Sequence, residues 1–327
     1  MREIEFDILK GIMIICVVVG HSNFRPLIPI DVFWFHMPAF FLVAGYFMKT
    51  PQKNPLKDKG ELIKKLHRYV IPYFAYSLVF FLIFHPEGAL KNLIRTLYGG
   101  FNNITIYSYP YWFINTLFTS SICFSYMLWI FKDKKLGEII FAALILSLYI
   151  IIHLDIYPLP FPLPWGLDES LGALIFMYTG FKFRTLKNKE YCINTLSILA
   201  LIFGAFLIKE NYQCYFNMEK MIYPNWVLDW IIPCSFIAFF YEICKWLKRN
   251  HYIKIGLSEL GNASITIFFV HAAIFVALND FSTPVKIVSA IAGGYIVHHL
   301  IRRNKYTQLL FLSSTYKCNF LGADNKQ

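Results

Sequence analysis

The sequence predicts an all-α, polytopic membrane protein of about ten transmembrane helices, with both termini on the cytoplasmic side. Three observations carry that expectation. Hydrophobic residues make up 57% of the 327-residue chain and charged residues only 16%, against about a quarter charged in ordinary soluble proteins. Mean hydropathy is +0.49, and the apolar residues arrive in blocks near the length of about 20 residues that a helix needs to cross a bilayer. Basic residues concentrate in alternate loops, as cytoplasmic segments do.

The blocks fall at 8–20, 32–48, 69–84, 109–131, 136–152, 170–183, 191–208, 226–247, 264–278 and 285–301. The first, sixth and ninth are short and borrow flanking residues. Short spans of this kind often line a cavity instead of facing lipid. After the second block come Lys49, Lys53, Lys57, Lys59, Lys64, Lys65 and Arg68. Further basic stretches lie at 132–135, 182–189, 245–254 and 302–305. The opposite loops hold only Arg25, Lys91, Arg95, Lys209, Lys220 and Lys286. An even number of spans returns the chain to its starting side, so the two ends agree. Residues 1–327 read as one membrane-embedded domain, with a short cytoplasmic tail over 304–327. No second soluble domain is expected.

The net charge of +11 follows this loop pattern, so nucleic acid is not an expected partner. Seven cysteines are present, without a CxxC pair, and Cys16, Cys123, Cys192, Cys234 and Cys244 fall within apolar blocks. Neither a disulfide framework nor a metal site is expected. The N-terminus does not read as a signal peptide, because Lys10 interrupts its apolar run and no small-residue cleavage site follows. The loops opposite the basic ones, 107–112, 158–165 and 223–226, are rich in aromatics and prolines. They suit an interfacial aromatic belt, or platforms for a sugar beside Asp168, Glu169 and Asp229. No internal repeat supports an inverted-repeat transporter.

Ionisable groups inside membrane spans are expensive and are functional candidates. Lys10 and His21 both fall in the first block. Eleven helical positions make about three turns, so the two share a face about 16 Å apart along the axis. Asp7 lies on the same stripe and can pair with Lys10. The bland alternatives are a snorkelling lysine and an ordinary helix-end histidine. The spacing suits a long donor lying along the helix, anionic at Lys10 and reactive at His21. Coenzyme A, a phosphorylated nucleotide on an arm ending in a thioester, has that shape. The second block opens with His36, which returns to the depth of His21 after a short connection. A neutral imidazole can take a hydroxyl proton and return it to a leaving group. A structural histidine packed by the following proline is the alternative for His36.

Several segments strongly resemble the integral-membrane acyltransferase 3 family, with the closest likeness to its fucose 4-O-acetylase-like branch. They are Phe6-Asp7-Ile8-Leu9-Lys10-Gly11-Ile12, Gly20-His21, Phe35-His36-Met37-Pro38 and Ala44-Gly45-Tyr46. Lys10 and His21 meet the family signature of Arg or Lys, ten residues, then His. Looser echoes are Arg68-Tyr69-Val70-Ile71-Pro72-Tyr73, Tyr111-Trp112-Phe113-Ile114-Asn115 and Phe269-Val270-His271-Ala272. In the last, Ala272 replaces a frequent family proline, which weakens any role for His271.

The resemblance implies transfer of an acyl group, usually acetyl, from cytoplasmic acyl-CoA to a hydroxyl of a surface polysaccharide or lipid-linked glycan in a bacterial inner membrane. Acetyl-CoA would be a donor substrate and no cofactor would be held permanently. His21 and His36 are the expected catalytic residues, by direct transfer or through an acyl-histidine relay. Lys10, Asp7 and Arg68 are expected on the donor side, although Arg68 could equally meet a lipid phosphate. Trp112 and Asn115 are expected at the acceptor or in aromatic-belt packing. His298 and His299 suit interfacial contacts, and His67, His85, His153 and His251 are given no role. The competing reading is a transporter or flippase of a polar lipid or sugar.

Overall fold

A bilayer offers the backbone no hydrogen-bond partners, so each apolar block must satisfy its own N–H and C=O groups and becomes a helix. The computed structural model describes residues 3–22, 31–84, 87–100, 108–132, 136–154, 161–209 and 216–312. Arg25, His85, Tyr107, the 133–135 and 158–160 stretches and the tail beyond Leu312 lie outside the described residues.

The chain begins with α1 (Ile4–Gly20), a short helical turn at Val32–Trp34, and α2 (His36–Phe47). A continuous helical run follows: α3 (Lys59–Lys65), a π-helical turn at Leu66–Val70, and α4 (Ile71–Phe84). Then come α5 (Ala89–Tyr98), α6 (Trp112–Phe131), α7 (Gly137–Ile151), α8 (Leu167–Thr185) and α9 (Lys189–Lys209). The last four are α10 (Leu228–Leu247), α11 (His251–Ala277), α12 (Thr283–Arg302) and α13 (Lys305–Phe311). Among the described residues there is no strand, and Asn217 and Ile222 form an isolated bridge.

Every expected block coincides with a helix, and six helical stretches are long and apolar enough to cross a membrane: Lys59–Phe84, Tyr109–Phe131, α9, α10, α11 and α12. The ninth block starts earlier than expected. Asn250 caps α11, its side chain accepting from the N–H groups of Tyr252 and Ile253 at 3.0 and 3.2 Å. The polar stretch that looks like loop is therefore its first turns. Likewise Asp58 caps α3 through Gly60 and Glu61, so part of the basic loop is helical.

Helix α5 is an addition to the expected blocks. Leu90, Leu93, Ile94 and Leu97 are exposed on one face of it, at the i, i+3, i+4, i+7 spacing of an amphipathic helix. Ten residues are too few for a span, and such a helix suits the membrane interface. The hydroxyl of Tyr73 donates to the Thr96 carbonyl at 2.8 Å, holding α5 against α4.

Helix α1 lies at the centre, against α2, α10, α11 and α12. Its crossing with α11 is made by glycines. A Cβ on Gly11 would stand 2.1 Å from the Leu257 carbonyl oxygen, and one on Gly261 would stand 1.9 Å from that of Asp7. Small residues allow this backbone approach, the main source of helix association where lipid removes the hydrophobic drive.

The basic loops gather at one end of the bundle. Arg184 donates to the Met48 carbonyl at 2.6 Å and Lys132 to that of Gln52 at 2.9 Å. Lys182 pairs with Glu138 at 2.9 Å, Lys245 with Glu190 and Lys248 with Glu5, both at 2.5 Å. The opposite end carries His21, His36 and Trp112.

Candidate functional site

His21 is the residue that ends α1, with its backbone N–H donating to the Val17 carbonyl at 3.1 Å. The chain can fold closely over this helix end because residue 20 is glycine. A Cβ there would meet Val32 at 2.9 Å and Phe33 at 3.0 Å. Asp31 caps the turn that follows, accepting from the Phe33 N–H at 3.0 Å. That turn delivers His36, the buried first residue of α2.

His36 Nδ1 lies 2.5 Å from the Val32 carbonyl oxygen. A carbonyl only accepts, so Nδ1 carries the proton and Nε2 is the basic nitrogen of the neutral ring. Phe33 stands edge-on to both histidines, 5.4 Å from the His21 centroid and 5.0 Å from that of His36. His21 and His36 thus share Phe33 as an edge-on neighbour.

A third imidazole completes the group. His271 is fully buried on α11 and stacks on His21, with centroids 5.4 Å apart and planes 30° from parallel. Its Nδ1 lies 2.8 Å from the Phe268 carbonyl oxygen and 3.2 Å from that of Ile267. It is thus held in the same tautomer as His36. The substitution at Ala272 does not move it away. Tyr109 packs edge-on against His21 at 4.9 Å. The next turn is tied to α11 by the Tyr111 hydroxyl, which donates to the Phe269 carbonyl at 3.1 Å.

His21 and His36 line one small cavity, with Trp112, Phe268, Asn217, Met218 and Glu219 also on its walls. Its volume is about 10 Å³, room for about one water or one hydroxyl group. Burial pushes the Glu219 carboxyl up to about 7, against a smaller opposing effect of Lys220. The sequence carries a signal for this residue, a lone acid between Met218 and Met221 in an otherwise aromatic loop. Without the tertiary path, nothing aims it at His21.

Trp112 and Asn115 diverge. Trp112 lines the histidine cavity. Asn115 is buried, and its side-chain oxygen accepts from the Gly100 N–H at 3.2 Å. Gly99 and Gly100 have φ of +69° and +64°, a conformation that glycine adopts without strain. Asn115 thus holds a turn beside the site.

At the basic end lies a larger cavity of about 800 Å³, lined by Lys49, Lys53, Lys64, Lys65 and Arg68 together with Asp58 and Glu61. Lys65 donates to the Ser121 carbonyl at 2.6 Å and the Ser125 hydroxyl at 2.7 Å, which anchors it to α6. The π-helical turn at 66–70 directs Arg68 to the rim, and such turns are frequent at functional positions. Lys10 is not in this lining. It pairs with Asp7 at 2.8 Å, the lysine side chain 28% exposed and the carboxylate 9%. Among the described residues, no group of three His, Cys, Asp or Glu is placed to hold a metal ion. The five cysteines of the helices are free.

No curated protein and no solved structure matches the chain. A family model described as an acyltransferase domain matches residues 3–300. That match runs from the start of α1 nearly to the end of α12 and so contains both cavities. The chain belongs to the acyltransferase 3 family, and is a multi-pass membrane acyltransferase.

Proposed function

We propose that the protein is a ten-span O-acyltransferase that moves an acyl group, acetyl by default, from cytoplasmic acyl-CoA to a sugar hydroxyl of a surface polysaccharide or lipid-linked glycan. In this reading the basic end and both termini face the cytoplasm of a bacterial cell.

One observation supports it above the others: α2 and α6 each line both cavities. His36 and Trp112 lie at the histidine cavity, Val43 and Ser121 at the basic one. From His36 to Val43 the helix rises about 10 Å, and from Trp112 to Ser121 about 13 Å. The extended arm of coenzyme A bridges such a distance. Its phosphates would meet Lys65 and Arg68, the latter by charge-assisted and bidentate contacts. Lys10, with Asp7, supplies a further cation on α1 for the donor side.

The acceptor hydroxyl oxygen attacks the thioester carbonyl carbon as His21 takes the hydroxyl proton. The C–S bond then breaks, the acyl group stays on oxygen, and the proton passes from His21 to the coenzyme A sulfur. His36, fixed by Val32, assists at the same depth. The transfer uses no permanently bound cofactor.

The test is thiol release from acetyl-CoA by the purified protein in lipid nanodiscs, with methyl glycosides as acceptors. Release with formation of sugar ester is expected, and His21→Ala should lower it by about 10²-fold or more. Ester formation unaltered in His21→Ala would remove the assignment. Absence of thiol release from the wild type would favour a transporter of polar lipid or sugar.

A further inference from the structure

The transfer scheme uses His21 and His36 but leaves unexplained a carboxylate, Glu219, that lines the same cavity. Glu219 sits on a turn that is built to hold it. Asn217 and Ile222 exchange two backbone hydrogen bonds of 2.9 Å each, and the Asn217 side chain accepts from the Lys220 N–H at 3.1 Å. Met221 is left-handed with φ of +55°, a conformation that costs a non-glycine residue energy and collects at functional positions. Phe216, Met218, Met221 and Tyr223 are buried and anchor the turn. Lys220 points outward, whereas Glu219 lines the cavity.

We propose that Glu219 is an acceptor-binding residue: its partly exposed carboxylate accepts a hydrogen bond from a second hydroxyl of the acceptor outside the cavity, while the first fills the cavity at His21. This rests on the acyl-transfer reading above, and it gives the sugar acceptor of that reading a second point of attachment, which a simple alcohol lacks. An ionised carboxylate is an acceptor only, so it recognises O–H groups and repels anions. A site built to pair a substrate hydroxyl discriminates against a compound that lacks it, because the half-buried partner is then left without that hydrogen bond.

The groups facing Glu219 are His21 from α1, His36 from α2, and Tyr109 ahead of α6, with Lys220 on its own turn. Burial pushes the carboxyl up to about 7. It therefore changes from a donor to an acceptor-only group within the working range of an imidazole base.

The experiment compares acetyl transfer by the nanodisc protein to methyl glycosides of fucose, galactose and glucose with transfer to ethanol, for the wild type, Glu219→Gln and Glu219→Asp. The wild-type preference for glycoside, as a ratio of kcat/KM values, should fall at least tenfold in Glu219→Gln and be partly restored in Glu219→Asp. The wild-type KM for glycoside should fall as pH rises through about 7, and Glu219→Gln should lose that limb. A preference unaltered in Glu219→Gln, or an equal loss of rate with every acceptor, would overturn the proposal. Thiol release that is absent from the wild type, or indifferent to His21→Ala, would instead overturn the acyl-transfer reading and this proposal with it.

Discussion

The imidazoles of His21 and His271 stack with ring centroids 5.4 Å apart, although they come from opposite ends of the chain. His271 is held by its Nδ1 against the Phe268 carbonyl and gives His21 a rigid flat wall. His271 thus acts on the chemistry through His21, as a positioning residue.

Truncating that wall should be costly. In His271→Ala, kcat for acetyl transfer should fall by about 10²-fold, the lower range for an impaired acid–base group, with little change in the KM for acetyl-CoA. His271→Phe, which keeps an aromatic face beside His21, should lose less. Equal kcat in wild type and His271→Ala, measured by thiol release, would take His271 out of the site.

The basic cavity makes a separate prediction on the donor. Lys65→Met keeps the apolar stem but removes the ammonium that reaches Ser121 and Ser125. Arg68→Ala removes the cation at the rim. A hydrogen bond to a charged group contributes about 1.5–3 kcal/mol, so each should raise the KM for acetyl-CoA about tenfold or more. Acceptor KM should stay near the wild-type value. Donor affinity should also weaken with added salt, because exposed charges are screened over about 10 Å at 0.1 M. A donor KM insensitive to both substitutions would place the nucleotide elsewhere.

Lys10 offers a test of the long-donor argument. It already has Asp7 as a partner at 2.8 Å, an arrangement that also suits a purely structural pair. If it serves the donor, Lys10→Ala should raise the KM for acetyl-CoA, and Lys10→Arg should recover most of the loss. A lower melting temperature with unaltered donor KM would make the pair structural.

Two glycines on α11 should respond in opposite directions. Gly261→Ala forces a methyl to 1.9 Å from the Asp7 carbonyl oxygen, and overpacking of this kind costs about 1–3 kcal/mol. A Cβ on Gly256 meets nothing within 4 Å. Gly256→Ala should therefore stabilise the helix by about 0.5–1 kcal/mol through propensity and unfolded-state entropy. Thermal unfolding in matched detergent reads both. A neutral Gly261→Ala would mean that α1 and α11 do not cross this closely.

What the sequence determined by itself is what depends on neighbours along the chain. Hydropathy located the apolar blocks, and the 109–131 block coincides with a helical stretch at both ends. Helical periodicity placed Asp7 beside Lys10, where the ion pair forms. The short connection after His21 implied the return of His36. Capping by Asn250 and Asp58, and the amphipathic stripe of α5, were also written locally. They were obscured because hydropathy windows pass over short or polar-headed helices.

The tertiary structure decided which faces meet. The Gly11–Gly261 crossing joins α1 to α11 and so places His271 on His21. The turn 217–222 puts Glu219 on the cavity that His21 lines, while Lys65 reaches across to α6 and Asn115 turns away to Gly100. None of these pairings has a local signal. Each depends on the close packing of helices distant in sequence, where backbone approach at a glycine or one side-chain hydrogen bond selects among faces that hydropathy leaves equivalent.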